Sequence, residues 1–297
     1  MKAEKFILPP SAFILPPSPT MFFSHASLNG NLIPFDEAQV SLAHPVFTTS
    51  FGVYESIQVD KGRPFHLADH IQRLQNSADL IGIPLPAQET LRRWGRALIQ
   101  ALPPTSYSIL ILALGDSAGT QDTLVAFLPK PIRTYAPTLY TQGAAAITYP
   151  GQRAIPQCKS FNTLVNHLAR VEARKQGALE GILTHNNELH EGARSNVFVV
   201  TADSNALLTP PADRVLSGIT RDIVLQVMAE SPTPVEERRI FTDTPLAEMF
   251  ITSTSMHVMP VTTLNGQKVG KGQVGPITRE AMRRFEQYYR RRMKAEG

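Results

Sequence analysis

No apolar run in this sequence is longer than a single strand. The longest, Ile109–Leu114, falls far short of the roughly 20 residues that a bilayer-crossing helix needs. The 24 prolines and 18 glycines end or bend regular segments wherever they occur. The core must therefore be built from many short strands and helices. With 42% apolar and 18% charged residues, the balance is that of a globular chain rather than a disordered one. As a prior, 297 residues make two ordinary domains or one large one. A formal charge of +4 is too mild to demand nucleic acid, whose non-specific binding needs many clustered phosphate contacts. The single cysteine, Cys158, excludes an internal disulfide framework and any multi-cysteine metal site. The expectation is a soluble, cytoplasmic protein with no membrane or nucleic-acid partner.

Residues 1–20 stand apart. They repeat FILPPS, and Pro9, Pro10, Pro16 and Pro17 break what would otherwise resemble a signal peptide. A disordered, polyproline-like tail is expected there, with Met21 as a candidate natural start. Beyond it, the linker-like KPIRTYAP (130–137) suggests a small N-terminal domain over 21–132 and a larger C-terminal domain over 133–297. In the first, strands are expected near Phe22–Leu28 and Val53–Val59, and helices over Leu67–Ile81 and Gln88–Ala101. A buried strand pair follows, Tyr107–Leu114 with Thr123–Phe127, joined by a turn containing Gly and Asp. In the second, helices are expected over Phe161–Gln176, Ile219–Ala229 and from Pro276 to near Met293. Strands are expected near Gly181–Thr184, Asn196–Thr201, Ala206–Thr209, Glu236–Ile240 and Met249–Thr254, with a hairpin at Asn265-Gly266. Strands and helices interleave without regular βαβ alternation, which argues an α+β fold with largely antiparallel pairing.

Several tempting motifs carry no chemistry. GKGQVG (270–275) has the spacing of a dinucleotide loop, but no strand and acidic residue follow it, so it reads as a turn leading into Pro276. The run Arg290–Arg292 with Lys294 is the solvated side of a helix that turns Ile277, Ala281, Phe285 and Tyr288 inward. His66 and His70 lack a nearby third ligand, so no metal site is expected. No G-x-S-x-G elbow is present.

Lysine is scarce, with nine in the chain, and most lie in the tail, turns, the linker or charged helix runs. Lys159 is different: it follows Cys158 and opens a helix whose inner positions are expected to be Leu164, Leu168 and Val171. In a half-apolar setting a lysine can lose its proton readily and form a Schiff base, although a snorkelling lysine has the same look. Farther on, HEGARSNVFVV (190–200) sets Glu191 at a Gly turn before a buried strand. LSGITRD (216–222) places Gly218 and Thr220 at a helix start, whose N–H groups suit a phosphate ester. FITSTSMHVMP (250–260) ends a strand in hydroxyl residues. A lysine, a carboxylate, a helix N-terminus and hydroxyls are together what pyridoxal 5'-phosphate needs.

In this order and spacing, Lys159 with its following helix, EGARSN, LSGITRD and STS-x-x-x-MP resemble the class IV aminotransferases. These are the fold-type IV pyridoxal-phosphate enzymes, which include branched-chain and D-amino acid aminotransferases and aminodeoxychorismate lyase. LNGNLIPFDEAQVSLAHPVF, FGVYESIQV and DHIQRLQNSADLIGI look like the family's small domain. The resemblance implies a small α+β domain and a larger domain of pseudo-barrel character, pyridoxal 5'-phosphate as cofactor, and a homodimer. It implies an amino donor and a 2-oxo acid as substrates. By the same resemblance Lys159 would be the Schiff-base lysine and the acid–base for the α-proton, and Glu191 the partner of the pyridine nitrogen. Arg73 would be a fork of donors for the phosphate. The N–H groups of Ile219 and Thr220 and the hydroxyl of Thr254 would complete the phosphate cup, and Tyr54 would contact substrate. Without the resemblance, Arg73 reads as an exposed helix arginine, and Thr220 and Thr254 as capping or edge-strand residues.

The departures bear on the substrate. Leu114-Gly115 stands where D-amino acid aminotransferases and the lyase often carry Arg-Gly, so an expected carboxylate-binding arginine is missing. Thr163, in KSFNTL, stands where many branched-chain enzymes have a tyrosine. Arg194 in EGARSN is a charge where relatives usually have a small or polar residue; it reads either as a ligand for a substrate carboxylate or as an exposed turn arginine. GVYE favours the aminotransferases, so the expected function is a branched-chain-like aminotransferase with a 2-oxo acid acceptor. Ser56, two residues after Tyr54, keeps open a lyase that releases pyruvate from aminodeoxychorismate. A protein that binds pyridoxal phosphate without turnover is a third reading, opposed by the retention of Lys159, Glu191 and the phosphate-site residues.

Overall fold

In the computed structural model, which describes residues 23–116, 123–203 and 205–295, Val53, Glu55, Ile57 and Val59 are all buried. Side chains two apart share one face of a strand, and here that face is the buried one. The expected N-terminal tail and most of the turn expected after Leu114 lie outside the described residues. The chain falls into two compact units. Of the described residues, one comprises those from Phe23 to Ile132, Gln157–Asn162 and those from Arg290 to Ala295; the other comprises Arg133–Pro156 and Thr163–Tyr289.

The first unit runs β1 (His25–Leu28), β2 (Asn31–Pro34), a short α1 (Val46–Thr49), β3 (Gly52–Asp60), β4 (Arg63–Pro64), α2 (Leu67–Ile81), α3 (Gln88–Ala101), β5 (Tyr107–Leu114) and β6 (Leu124–Pro131). Its strands form one antiparallel sheet in the order β2-β1-β6-β5-β3-β4. Lys61 and Gly62, both at positive φ, turn β3 into β4, the tight-turn use for which glycine is suited. In α2 the buried residues Leu67, His70, Ile71, Leu74, Ser77 and Ala78 recur at three and four, the stripe of a helix lying on a core. Leu91, Leu98 and Ile99 of α3 join that stripe and the inner residues of β3 and β5 in one hydrophobic cluster.

The second unit begins with α4 (Pro137–Gln142), β7 (Ala144–Pro150), α5 (Leu164–Lys175), β8 (Glu180–His185), β9 (Glu188–Gly192), β10 (Asn196–Thr201) and β11 (Leu207–Thr209). It continues through α6 (Ile219–Ala229), β12 (Val235–Glu237), β13 (Ile240–Phe241), β14 (Leu246–Ser253), β15 (His257–Leu264), β16 (Gln267–Lys268) and α7 (Pro276–Ala295), the last counted here through Tyr289. The sheet path β10-β14-β15-β7-β8-β9 returns to its start, because β9 also pairs β10. Six strands thereby close on themselves, and the α+β architecture with a pseudo-barrel is as expected. Closure removes the exposed strand edges that an open sheet must protect.

Three local expectations need correction. The helix expected from Phe161 starts at Leu164, so Lys159 does not open it. Residues 159–161 are instead drawn against β3: Ser160 bridges Val53, the Tyr54 N–H donates to the Lys159 carbonyl, and the Phe161 N–H donates to the Gly52 carbonyl, both at 2.9 Å. Extended pairing and helix are mutually exclusive for the same residues. Leu164 and Leu168, expected inside, are 66% and 43% exposed; α5 buries Asn166, Ala169 and Ala173 instead. The single strand expected over Glu236–Ile240 is two, β12 and β13, which pair with different partners, β11 and β9.

Candidate active site

The extended segment fixes where Lys159 stands. Its backbone N–H donates to Ser77 Oγ at 3.0 Å, and the neighbouring Cys158 thiol donates to the Ser77 carbonyl at 3.3 Å, so the end of α2 holds the segment in place. Gly52 lets it approach: a Cβ there would lie 2.3 Å from the Phe161 ring. The Lys159 Nζ sits 4.5 Å from the centre of the Tyr54 ring, within the range at which an ammonium is attracted to an aromatic face. The structure thus brings together two of the residues singled out in the sequence.

On the opposite face of β3, Glu55 is fully buried. It accepts from Arg73 Nε at 2.6 Å and Nη2 at 2.9 Å, and from the Ser56 N–H at 3.2 Å. His70 Nδ1 lies 2.7 Å from Glu55 Oε2, so that nitrogen carries the proton it donates to an ionised carboxylate. Burial alone would raise the Glu55 carboxyl, but the charges and hydrogen bonds of Arg73 and His70 outweigh it and hold it well below the usual carboxylate range. Burial also pushes the His70 imidazole down, against the pull of Glu55. Arg73 is no exposed helix arginine: its side chain is 12% exposed.

In the second unit, Glu191 ends up beside a cation that the sequence reading missed. Its Oε1 lies 2.7 Å from Arg153 Nε, an ion pair rather than an aligned hydrogen bond, and its Oε2 accepts from the Leu216 N–H at 3.4 Å. Asn196 donates from Nδ2 to the Leu216 carbonyl at 2.7 Å. A Cβ on Gly218 would come within 2.0 Å of Asn196 Oδ1. Glu191, Asn196 and the LSG segment are therefore packed as one block ahead of α6. Gly218 is the N-cap of that helix and Ile219 its first residue. Thr220 is 3% exposed, and its Oγ1 has no hydrogen-bond partner among the described residues. A buried hydroxyl left so is costly, and at a helix N-terminus an anionic oxygen is the natural group to meet it. Thr254 lies in the turn between β14 and β15.

Arg194 is half-buried, with Nε 3.9 Å from Glu180 Oε2. Glu180 itself is fully buried and accepts from Ser195 Oγ and from the Gly181 N–H, each at 3.2 Å. Burial pushes its carboxyl up to about 7, against the opposing pull of Gly181, Ser195, Arg170 and Arg133.

Four residues were missed in the sequence: Glu55, His70, Arg153 and Glu180. Glu55 could have been found, because it shares strand parity with Val53, Ile57 and Val59. His70 could also have been found, inside the apolar stripe of α2. Arg153 sits in a segment without periodicity, and nothing in the sequence points to it. The first unit offers an amine over an aromatic ring, and the second a buried carboxylate beside a cation and a helix start with an orphaned hydroxyl; each is a kind of group that pyridoxal 5'-phosphate can use.

Comparison with known proteins shows the family. Residues 52–264 match the family model described as amino-transferase class IV. The D-alanine aminotransferase of Bacillus licheniformis is 34% identical over 263 residues, covering 84% of this chain and 92% of that protein. Among solved structures, the branched-chain amino acid aminotransferase from Escherichia coli is similar with a TM-score of 0.79 at 27% identity, covering 88% of this chain and 92% of that one. The T.th. branched-chain amino acid aminotransferase with pyridoxamine 5'-phosphate is similar with a TM-score of 0.81 at 25% identity, covering 92% of this chain and 95% of the other.

Proposed function

The chain belongs to the class IV aminotransferases, and from that premise we propose that it moves the amino group of a branched-chain or similarly apolar α-amino acid to a 2-oxo acid. It is a pyridoxal-phosphate-dependent transaminase. When bound, the cofactor supplies a carbonyl for the donor's amine and an electron sink for its α-carbon.

Lys159 would hold the cofactor through Nζ and would carry the α-proton; the Tyr54 face beside that amine limits where it can swing. Glu191, steadied by Arg153 at one oxygen, would meet the ring nitrogen and favour the protonated ring. Arg73, the N–H groups of Ile219 and Thr220 and the Thr254 hydroxyl hold the phosphate. Tyr54 and Arg194 contact substrate, Arg194 by exchanging the Glu180 carboxylate for that of the ligand. Arg194 is held only at ion-pair distance from Glu180, which supports such an exchange. The enzyme works as a cytoplasmic homodimer in this reading, which light scattering would check for the dimer.

The observation that carries the donor is Leu114, 5% exposed at the end of β5 and paired with Gly52. An apolar side chain stands there in place of a carboxylate-binding arginine, which suits an apolar donor. A second reading takes D-alanine as donor, favoured by the 34% identity to a D-alanine aminotransferase. Mixing the purified enzyme with L-leucine, L-valine or D-alanine, without acceptor, separates them. The expected result is bleaching of the bound cofactor's visible band by L-leucine or L-valine, accumulation of pyridoxamine 5'-phosphate, and recovery of the band on adding 2-oxoglutarate, as ping-pong exchange requires. Bleaching by D-alanine alone would move the donor to the second reading. Silence toward all donors, with pyruvate released from aminodeoxychorismate, would replace transamination by elimination. Borohydride reduction and peptide mapping should leave the pyridoxyl label on Lys159; a label on another lysine would remove that role.

A further inference from the structure

Glu55 puts a charge on the apolar, buried face of β3. Burying a carboxylate among Val53, Ile57 and Val59 is unfavourable, and buried ion pairs replaced by well-packed apolar residues often leave stability unchanged or higher. Stability alone is therefore a poor account of the Glu55–Arg73–His70 cluster. Its geometry suggests what it does. The carboxylate grips the guanidinium side-on, through Nε and Nη2 at 2.6 and 2.9 Å. Two parallel bonds fix the plane of the fork as well as its position, and they direct the Nη1 end away from the carboxylate. The same Glu55 oxygen that takes Nη2 also takes His70 Nδ1 at 2.7 Å. His70 and Arg73 are one turn apart on α2, so the helix is pinned to β3 at two points and the arginine cannot slide or roll. An arginine side chain left to itself would have to freeze several rotatable bonds on meeting an anion. Here that ordering is already done. Because the carboxylate offsets the arginine's charge, its contribution is direction rather than attraction.

We propose that Glu55, braced by His70, is the positioning residue for Arg73, aiming its guanidinium at the phosphate of pyridoxal 5'-phosphate and so setting the preference for the phosphate ester over free pyridoxal. The proposal rests on the reading that Arg73 holds that phosphate. Glu55 touches neither cofactor nor substrate in this arrangement; it acts through Arg73.

The test uses the full chain stripped of cofactor and titrated with pyridoxal 5'-phosphate and, separately, with pyridoxal. In Glu55→Gln the affinity for pyridoxal 5'-phosphate should fall about tenfold or more, the scale of a lost charged hydrogen-bond pair, while the affinity for pyridoxal holds. Arg73→Gln should lower the same ratio, and the double variant should fall no further than Arg73→Gln alone, since one residue acts through the other. An unchanged ratio in Glu55→Gln, or equal losses for both ligands, would overturn the proposal and leave Glu55 as a packing residue. An unchanged ratio in Arg73→Gln would instead remove Arg73 from the phosphate, a different failure. If Glu55→Gln does not fold, Glu55→Asp, which keeps the charge and withdraws it by one methylene, is read by the same ratio.

Discussion

Two fully buried glutamates of this protein sit in opposite electrostatic states. Glu55 is held ionised by Arg73 and His70, whereas Glu180, among donors that only partly offset its burial, is pushed up to about 7. The consequences for stability run in opposite directions. A raised carboxyl binds its proton more tightly folded than unfolded, so what Glu180 contributes is complete below its ordinary 4.5 and is lost as pH rises through about 7. Between pH 5 and 8 that loss is up to about 3 kcal/mol, and Glu180→Gln should abolish most of it. Urea denaturation of both proteins at the two pH values measures it; equal pH slopes would mean that Arg194, Arg170 and Arg133 keep Glu180 charged. For Glu191, removal of the charge with retention of shape separates binding from chemistry. Glu191→Gln should keep much of the cofactor by absorbance and lose turnover by orders of magnitude, because a neutral amide no longer favours the protonated ring. Near-normal turnover would make Glu191 a turn residue. At this scale the sequence singles out a residue where it belongs to a motif, as with Lys159 and Glu191, whose roles are the proposals made above. Strand parity marks Glu55 as inward-facing but does not name Arg73 as its partner, and Arg153, in an irregular segment, carries no signal at all.

Helices were the most legible elements. α2, α3 and α6 have the bounds expected from the sequence, because each combines an apolar stripe with a proline or glycine at an end. Strands fared less well for identifiable reasons. β7 is rich in alanine, which has little preference for a pleated surface. β9 is short and carries Glu188, His190 and Glu191, all buried, where a solvated turn was the natural expectation. β15 contains Pro260, which argues against a central strand; yet its pairing with β7 starts only at Val261. The start of α6 invites a prediction of its own. Gly218 has φ −80 and ψ 129, open to any residue, so the glycine is needed for space rather than for backbone freedom. Gly218→Ala would force Asn196 away and strand the Leu216 carbonyl. A destabilisation of about 1–3 kcal/mol is expected, read from denaturant midpoints, with weaker retention of pyridoxal 5'-phosphate on dialysis. An unchanged midpoint would show that Asn196 can shift without cost.

Considered whole, the protein joins an open antiparallel sheet, covered by two helices, to a sheet that returns on itself. Fold class was legible because the interleaving of elements excludes regular βαβ winding. Closure was not, since the strands that close the second sheet, β7, β9 and β15, are those whose local sequences argue against them. The last stitch of that closure is a single residue pair, Glu191 opposite Asn196. A cylinder of strands has no end from which to fray, so its weakest seam governs how it opens. Here the seam contains the carboxylate assigned to the ring nitrogen. Whatever steadies Glu191 therefore tightens the girdle around the barrel, and occupancy becomes mechanical: amide protons of β9 and β10 should exchange with deuterium more slowly in the loaded enzyme than in the stripped one. Those of the β5–β6 pair, in the other unit, should change far less, and uniform slowing across both would mean that loading steadies the chain as a whole rather than its seam.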